Sequence, residues 1–117
     1  MPKKSFPTEP DDAGFFFASQ EDQDQEIRTK RYPNGSEIKE LKLSGGQTAV
    51  VRKLRGRDFV ETKKMVQGSP QMDFETVNMS VAVTIDGEKK PPEYYLDDLF
   101  QADYSKLIIA YGILNFQ

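Results

Sequence analysis

The sequence predicts an α+β domain: an N-terminal β-hairpin followed by three or four packed α-helices, preceded by an acidic, largely disordered arm. Three observations carry that expectation. Turn-forming glycines bracket a β-branched run between residues 36 and 54. Three later segments, together covering most of the rest, repeat apolar residues at helical spacing. The first 26 residues hold two lysines and seven acids, a net of -5, whereas residues 27–117 hold fourteen bases and twelve acids, a net of +2. A head and a body so different in charge read as different kinds of polymer.

The arm is assigned to residues 1–31. It contains three prolines before residue 11 and the run SQEDQDQE, and it has few aliphatics. Its exception is GFFFA. Phe15, Phe16 and Phe17 either tuck against the chain's own body or form a short docking segment for a partner or a second copy.

The body follows as one domain, residues 32–117. YPNG is a turn signal, SEIKELKL mixes apolar and charged residues, SGGQ is a glycine turn at Gly45 and Gly46, and TAVVRKL is β-branched. Leu41 and Leu43 share one strand face, with Ile38 on the other. Gly56 ends the second strand, and Asp58 serves as the cap of a helix over about 58–67, with Phe59, Thr62 and Val66 on one face. Gly68 stops that helix. Ser69 as N-cap and Pro70 at the first helical position restart the chain as a second helix over 70–84. Apolar residues ring much of its circumference, which marks it as the most buried helix. The β propensity of VAVTI lets its end switch to strand before the turn DGEKKPP. Two further helices follow, about 93–100 and 103–115, the last capped by Asp103. Its apolar stripe is Tyr104, Leu107, Ile108, Tyr111 and Leu114.

The chain has no cysteine, histidine or tryptophan. Disulfides, Cys or His metal sites, and nucleophile systems built on histidine are therefore excluded. No apolar run approaches the ~20 residues of a membrane span, and the N-terminus lacks the apolar region of a signal peptide, so a cytosolic protein is expected. The glycine segments match neither a P-loop nor a dinucleotide fingerprint. Asp97 and Asp98 are adjacent on a helix, so their side chains diverge by about 100° and form no carboxylate pair. No catalytic constellation emerges, and neither an enzyme nor a cofactor is expected.

The basic run RKLRGRDFVETKKM invites a nucleic-acid reading. Strand alternation sends Arg52 and Lys53 to opposite faces, and no aromatics interleave to stack bases. The run reads better as a strand-to-helix joint, with Arg55 and Arg57 left wet or meeting an acidic partner. A small nucleic-acid-binding regulator remains the alternative, beside a structural connector protein.

The order of motifs adds a resemblance. ELKLSGGQTAVVRKLRGRDFVETKKM, an apolar helix, then DGEKKPPEYYLDDLFQADYSKLIIAYGILNF resembles the Mu-like phage tail assembly chaperones. The matching positions are Gly56, Arg57 and Asp58, then Leu99, Asp103 and Tyr104, and the resemblance covers residues 32–117. It implies a non-enzymatic protein of the bacterial host cytoplasm. Such a protein binds the helix-rich tape measure protein and helps tail tube subunits assemble around it, and self-association is expected. Methionine suits a surface that must accept varied helices, so Met65, Met72 and Met79 join the candidate partner-binding residues.

Overall fold

The computed structural model describes residues 5–116. It is an α+β fold built on one six-stranded antiparallel sheet in which every strand pairs with its neighbours in sequence. The strands are β1 (Phe15–Phe16), β2 (Arg28–Arg31), β3 (Glu37–Lys42), β4 (Thr48–Arg52), β5 (Val83–Ile85) and β6 (Glu88–Lys89). The helices are α1 (Gln20–Asp24), α2 (Gly56–Gly68), α3 (Phe74–Ala82), α4 (Pro92–Asp97) and α5 (Gln101–Phe116). The molecule is elongated, 55 × 32 × 23 Å.

Three hairpin turns set the sheet's register, and each uses the residue its geometry demands. At Tyr32–Ser36 and Leu43–Gln47 the turn closes through a glycine with positive φ, Gly35 at +88° and Gly46 at +89°. That conformation is nearly free for glycine and strained for other residues. Gly45 sits in the same turn without a positive φ. Asp86 and Gly87, at +50° and +85°, make the tight two-residue turn between β5 and β6.

The sheet has one covered face. Thr29, Lys39, Val51 and Val83 lie side by side across β2 to β5, and Leu41, Ala49 and Ile85 form the next row. All seven are buried beneath the helices. The alternate residues Arg28, Glu40, Val50 and Thr84 face the other way and are half-buried. Helix α5 crosses β3 and β4, and α3 packs against α2, α4 and α5. The core joins Leu41, Val51, Met79, Val83, Tyr95, Leu107 and Tyr111.

Several expectations are corrected here. The arm is not disordered over residues 5–31. It supplies β1, α1 and β2, two of the six strands; its first four residues lie outside the described ones. YPNG joins β2 to β3 instead of opening the hairpin. Helix α2 begins at Gly56, so Gly56 does not end the strand, which stops at Arg52. Asp58 is the third helical residue, not the cap: its carboxylate reaches back to accept the Arg55 N–H at 2.9 Å. Ser69 and Pro70 do not start a helix. Ser69 is the C-cap of α2, and the turn at 69–72 closes through the Met72 N–H to the Ser69 carbonyl at 2.9 Å. Asp73 caps α3, accepting the Thr76 N–H at 3.2 Å. The helix then gives way to β5 at Val83, the switch that VAVTI foreshadows.

Candidate functional site: the α5 platform and its cleft

Helix α5 is apolar around most of its circumference, and the fold uses only part of it. Asp103, Leu107, Ala110, Tyr111 and Leu114 are buried against the sheet and α3. Ile109, Ile113 and Phe116, at spacings of four and three, are left 57%, 39% and 65% exposed. Three large apolar side chains on one exposed helical face form a docking-type surface.

Polar anchors hold this helix at both ends. Asp103 is not a cap. It lies inside the first turn, 5% exposed, and reaches the β3–β4 turn. There it accepts the Ser44 N–H at 3.1 Å and the Ser44 hydroxyl at 2.6 Å. At the other end, Asn115 accepts the Leu54 N–H at 2.6 Å and donates to the Tyr111 carbonyl at 3.1 Å. Between them, the Tyr111 hydroxyl donates to Asn78 Oδ1. Asn78 in turn donates to Thr62 Oγ1 at 2.8 Å, and Thr62 donates to the Asp58 carbonyl at 2.9 Å. This buried chain ties α5, α3 and α2 together, and its satisfied polar groups favour one packing over others. Burial pushes the Tyr111 phenol up to about 12, and the nearby carboxylates of Glu75 and Asp73 add to the shift.

Beside α5 lies a cleft of about 260 Å³, lined by α1 and the preceding turn on one side and α5 on the other. Ile27 is on its floor, Ile109 and Ile113 are on the α5 wall, and Ala18 and Glu21 are on the α1 wall. Lys106 stands on the α5 side. The short helix α1 keeps its place through Ser19, whose hydroxyl accepts the Asp22 N–H at 3.1 Å. A buried ion pair adds to this. Lys39 Nζ lies 3.1 Å from Asp22 Oδ2 and donates to Thr29 Oγ1 at 2.9 Å, with its side chain 4% exposed. A lysine pointing into the covered face is tolerated because both partners come to it.

The residues singled out in the sequence are scattered over the molecule. Phe15 stacks under the Arg28 guanidinium, 4.3 Å from its centroid, and Phe16 is buried in β1. Phe17 lines a shallow recess with Arg28, Glu40 and Lys42. The three phenylalanines complete the sheet and do not project as a docking segment. Met79 is fully buried in the core and Met72 half-buried in the turn before α3; only Met65 is well exposed, at 44%. The methionines therefore form no common surface. Arg55 is exposed at the α2 N-terminus and donates to Ser36 Oγ at 3.4 Å; Arg57 is exposed. Arg52 is engaged, gripping Asp58 through two contacts at 3.1 and 3.3 Å. Those hydrogen bonds, joined by the Arg55 N–H, hold the Asp58 carboxyl below its ordinary value against the opposing effect of burial.

Ile109 and Ile113 fall outside the apolar stripe read from the sequence (Tyr104, Leu107, Ile108, Tyr111 and Leu114) and receive no role from it. The available signal was the unbroken run LIIAYGIL, which has more apolar residues than one buried face can take. Among the described residues, no group of three or more acids, histidines or cysteines comes together as a metal site, and no helix is long and apolar enough to cross a membrane. No protein-family model matches the chain, and no curated protein or solved structure matches it.

Proposed function

We propose that this chain is a non-enzymatic helix-binding protein acting as a phage tail assembly chaperone. Its client would be an amphipathic helix of the tape measure protein, held in the host cytoplasm until tail tube subunits assemble around it. The observation that supports the reading is the face of α5, where Ile109, Ile113 and Phe116 stay exposed on a helix anchored at both ends. A helix laid in a groove buries apolar residues at such spacing, and a rigid platform reduces the ordering cost of binding. The motif order from the hairpin to the last helix supplies the class of client.

The nucleic-acid reading draws less support. Of the basic joint, Arg52 is committed to Asp58, and on the open sheet face Arg28 is paired with Glu40 at 2.5 Å. The test is co-expression with a phage tape measure protein. The soluble fraction of that protein should rise with the wild-type chain and stay at background with Ile109→Lys. Equal solubility with and without the chain would remove the proposal.

A further inference from the structure

We propose that the recess at the α4–α5 corner binds a small neutral molecule with an apolar body and one carbonyl or amide oxygen, which accepts a hydrogen bond from the Tyr95 hydroxyl. The inference goes beyond the client reading and does not depend on it. The recess holds about 230 Å³ and is lined by Tyr95, Leu96, Leu99, Gln101 and Tyr104. None of these residues lines the cleft beside α1. Gln101 opens α5, and Ile109 follows eight residues later, about 12 Å along the helix.

Three tyrosines of the helical layer differ in how their hydroxyls are served. Tyr111 donates to Asn78, and the Tyr104 hydroxyl pairs with Thr76 Oγ1 at 2.7 Å. Tyr95 is 1% exposed, yet its hydroxyl has no hydrogen-bond partner among the described residues. A buried tyrosine normally finds one, and a donor left unpaired in the core costs stability. A phenylalanine would fill the same space without that cost. An exposed Leu96 alone would be ordinary. Beside a buried phenol that lacks a partner, it becomes one wall of an apolar recess with a polar group to satisfy.

The surroundings define the ligand. Burial keeps the Tyr95 phenol neutral, so its hydroxyl acts as a donor and calls for an acceptor. From Pro91 to Ser105 the chain carries Glu93, Asp97, Asp98 and Asp103 and no base. An anionic acceptor is therefore repelled, and a neutral carbonyl is not. Leu96, Leu99 and the Tyr104 ring take the apolar body, and Gln101, exposed at the rim, adds an amide that can donate or accept. The volume falls below the ~300–1,000 Å³ of drug-sized sites. It limits the ligand to on the order of ten non-hydrogen atoms. A molecule of that size should bind with a dissociation constant of about 1 mM.

The test is titration of the full chain with benzamide, followed by amide proton–nitrogen correlation spectra. Signals of residues around Tyr95 and Gln101 should shift, and those of Ile109 and Ile113 should not. Toluene, which lacks the oxygen, and benzoate, which carries a charge, should each bind at least about tenfold more weakly. Tyr95→Phe should weaken benzamide about tenfold and melt no lower than wild type, because its hydroxyl has no partner to lose. Ile109→Lys should bind benzamide as wild type does, which separates this site from the client face. N-acetyl-leucine N-methylamide offers the same amide within a peptide backbone and should bind more weakly, because its second amide overfills the recess. The ligand series on the wild-type chain keeps the test decisive if a variant misfolds. Signals unmoved by benzamide up to about 20 mM overturn the proposal, as does equal affinity for benzamide and toluene. A Tyr95→Phe protein that melts several degrees lower overturns it too, since the hydroxyl then already has a partner, such as a buried water. Tighter binding of the peptide amide than of benzamide also overturns it, by assigning the recess to a polypeptide.

Discussion

Removing the carboxylate of Asp22 should destabilise the protein more than any other surface-adjacent substitution, although Asp22 belongs to a helix of five residues. In Asp22→Ala, Lys39 keeps its ammonium inside the covered face at 4% side-chain exposure, with only the Thr29 hydroxyl as partner. Stripping one member from a buried pair costs about 3–5 kcal/mol. Unfolding entropy of roughly 2.1 cal/mol/K per residue gives about 0.25 kcal/mol/K for a chain of this length, so 3 kcal/mol lowers the melting temperature by about 12 °C. Lys39→Met should cost less, about 1–2 kcal/mol, because Asp22 sits nearer the surface at 14% exposure and can rehydrate. The double variant should recover to within about 1 kcal/mol of wild type, as a methionine fills the lysine's space and no ion is left alone. Urea unfolding of the four proteins closes the cycle. If the two single costs simply add in the double variant, the pair is not coupled, and the view that it holds α1 on the sheet is wrong.

Further outcomes follow from the other buried polar groups. Asp103→Ala should cost about 2 kcal/mol by orphaning the Ser44 N–H, and Ser44→Ala about half that; thermal melts compare them. Asn78→Ala should cost about 2–3 kcal/mol, since it strands the buried Tyr111 hydroxyl and removes the donor to Thr62 Oγ1, whereas Tyr111→Phe leaves only one amide oxygen unpaired and should cost less in the same melts. The raised phenols of Tyr95, displaced upward chiefly by burial, and Tyr111, near 12, favour the neutral form in the folded state. The stability they contribute is complete below the ordinary tyrosine value of about 10 and is lost as pH rises through their folded values. Ultraviolet titration should therefore show two of the five tyrosines ionising late or only with unfolding. Asp58 has the opposite sign. Its depressed carboxyl contributes stability above the ordinary aspartate value of about 3.9, which fades as pH falls below it. Asp58→Asn should flatten the acid limb of stability measured between about pH 4 and 2.

The central hairpin and the order of the main helices are legible because their signals are local. The glycine turn at 44–46, the β-branched TAVVR and the helical spacing around Leu107, Tyr111 and Leu114 each settle their own element. The first third of the chain is not legible in this way. Strand β1 is two residues long and α1 five, too short for any periodicity. Strand β2 reads RTKR, with Thr29 as its only buried residue. What orders these pieces is tertiary: Phe15 under Arg28, Asp22 on Lys39, and Ile27 on the core. An acidic composition reports that a segment cannot fold alone, not that it lacks a sheet edge to fold onto. The two aspartates at 58 and 103 show a related limit. Each was placed correctly at a helix start, but a carboxylate there can serve its own helix or another part of the chain. Asp58 does both, accepting the Arg55 N–H and pairing with Arg52 of β4, and Asp103 does the second by holding Ser44 fifty-nine residues away in sequence.

The candidate site was illegible for a different reason, and that reason bears on what the surface does. Sequence reading picks the apolar residues that fit one buried stripe and leaves the other apolar residues of the same helix without a role. In α5 the core accounts for Leu107, Ala110, Tyr111 and Leu114 and has no room left for Ile109, Ile113 and Phe116. Phe59, Leu96 and Phe100 are as exposed, but Leu96 and Phe100 sit around the α4–α5 corner, where isolated exposed apolar residues are ordinary, and Phe59 of α2 lines a separate recess with Phe116. What separates the α5 residues is that they share one face, that the helix beneath them is fixed at both ends, and that a walled cleft with charges of both signs runs beside two of them. A face merely left over from folding has no need of α1. Its buried Lys39–Asp22 pair is a weak source of stability, yet it holds the acidic wall in position opposite Lys106. The fold thus spends an ion pair on shaping the cleft.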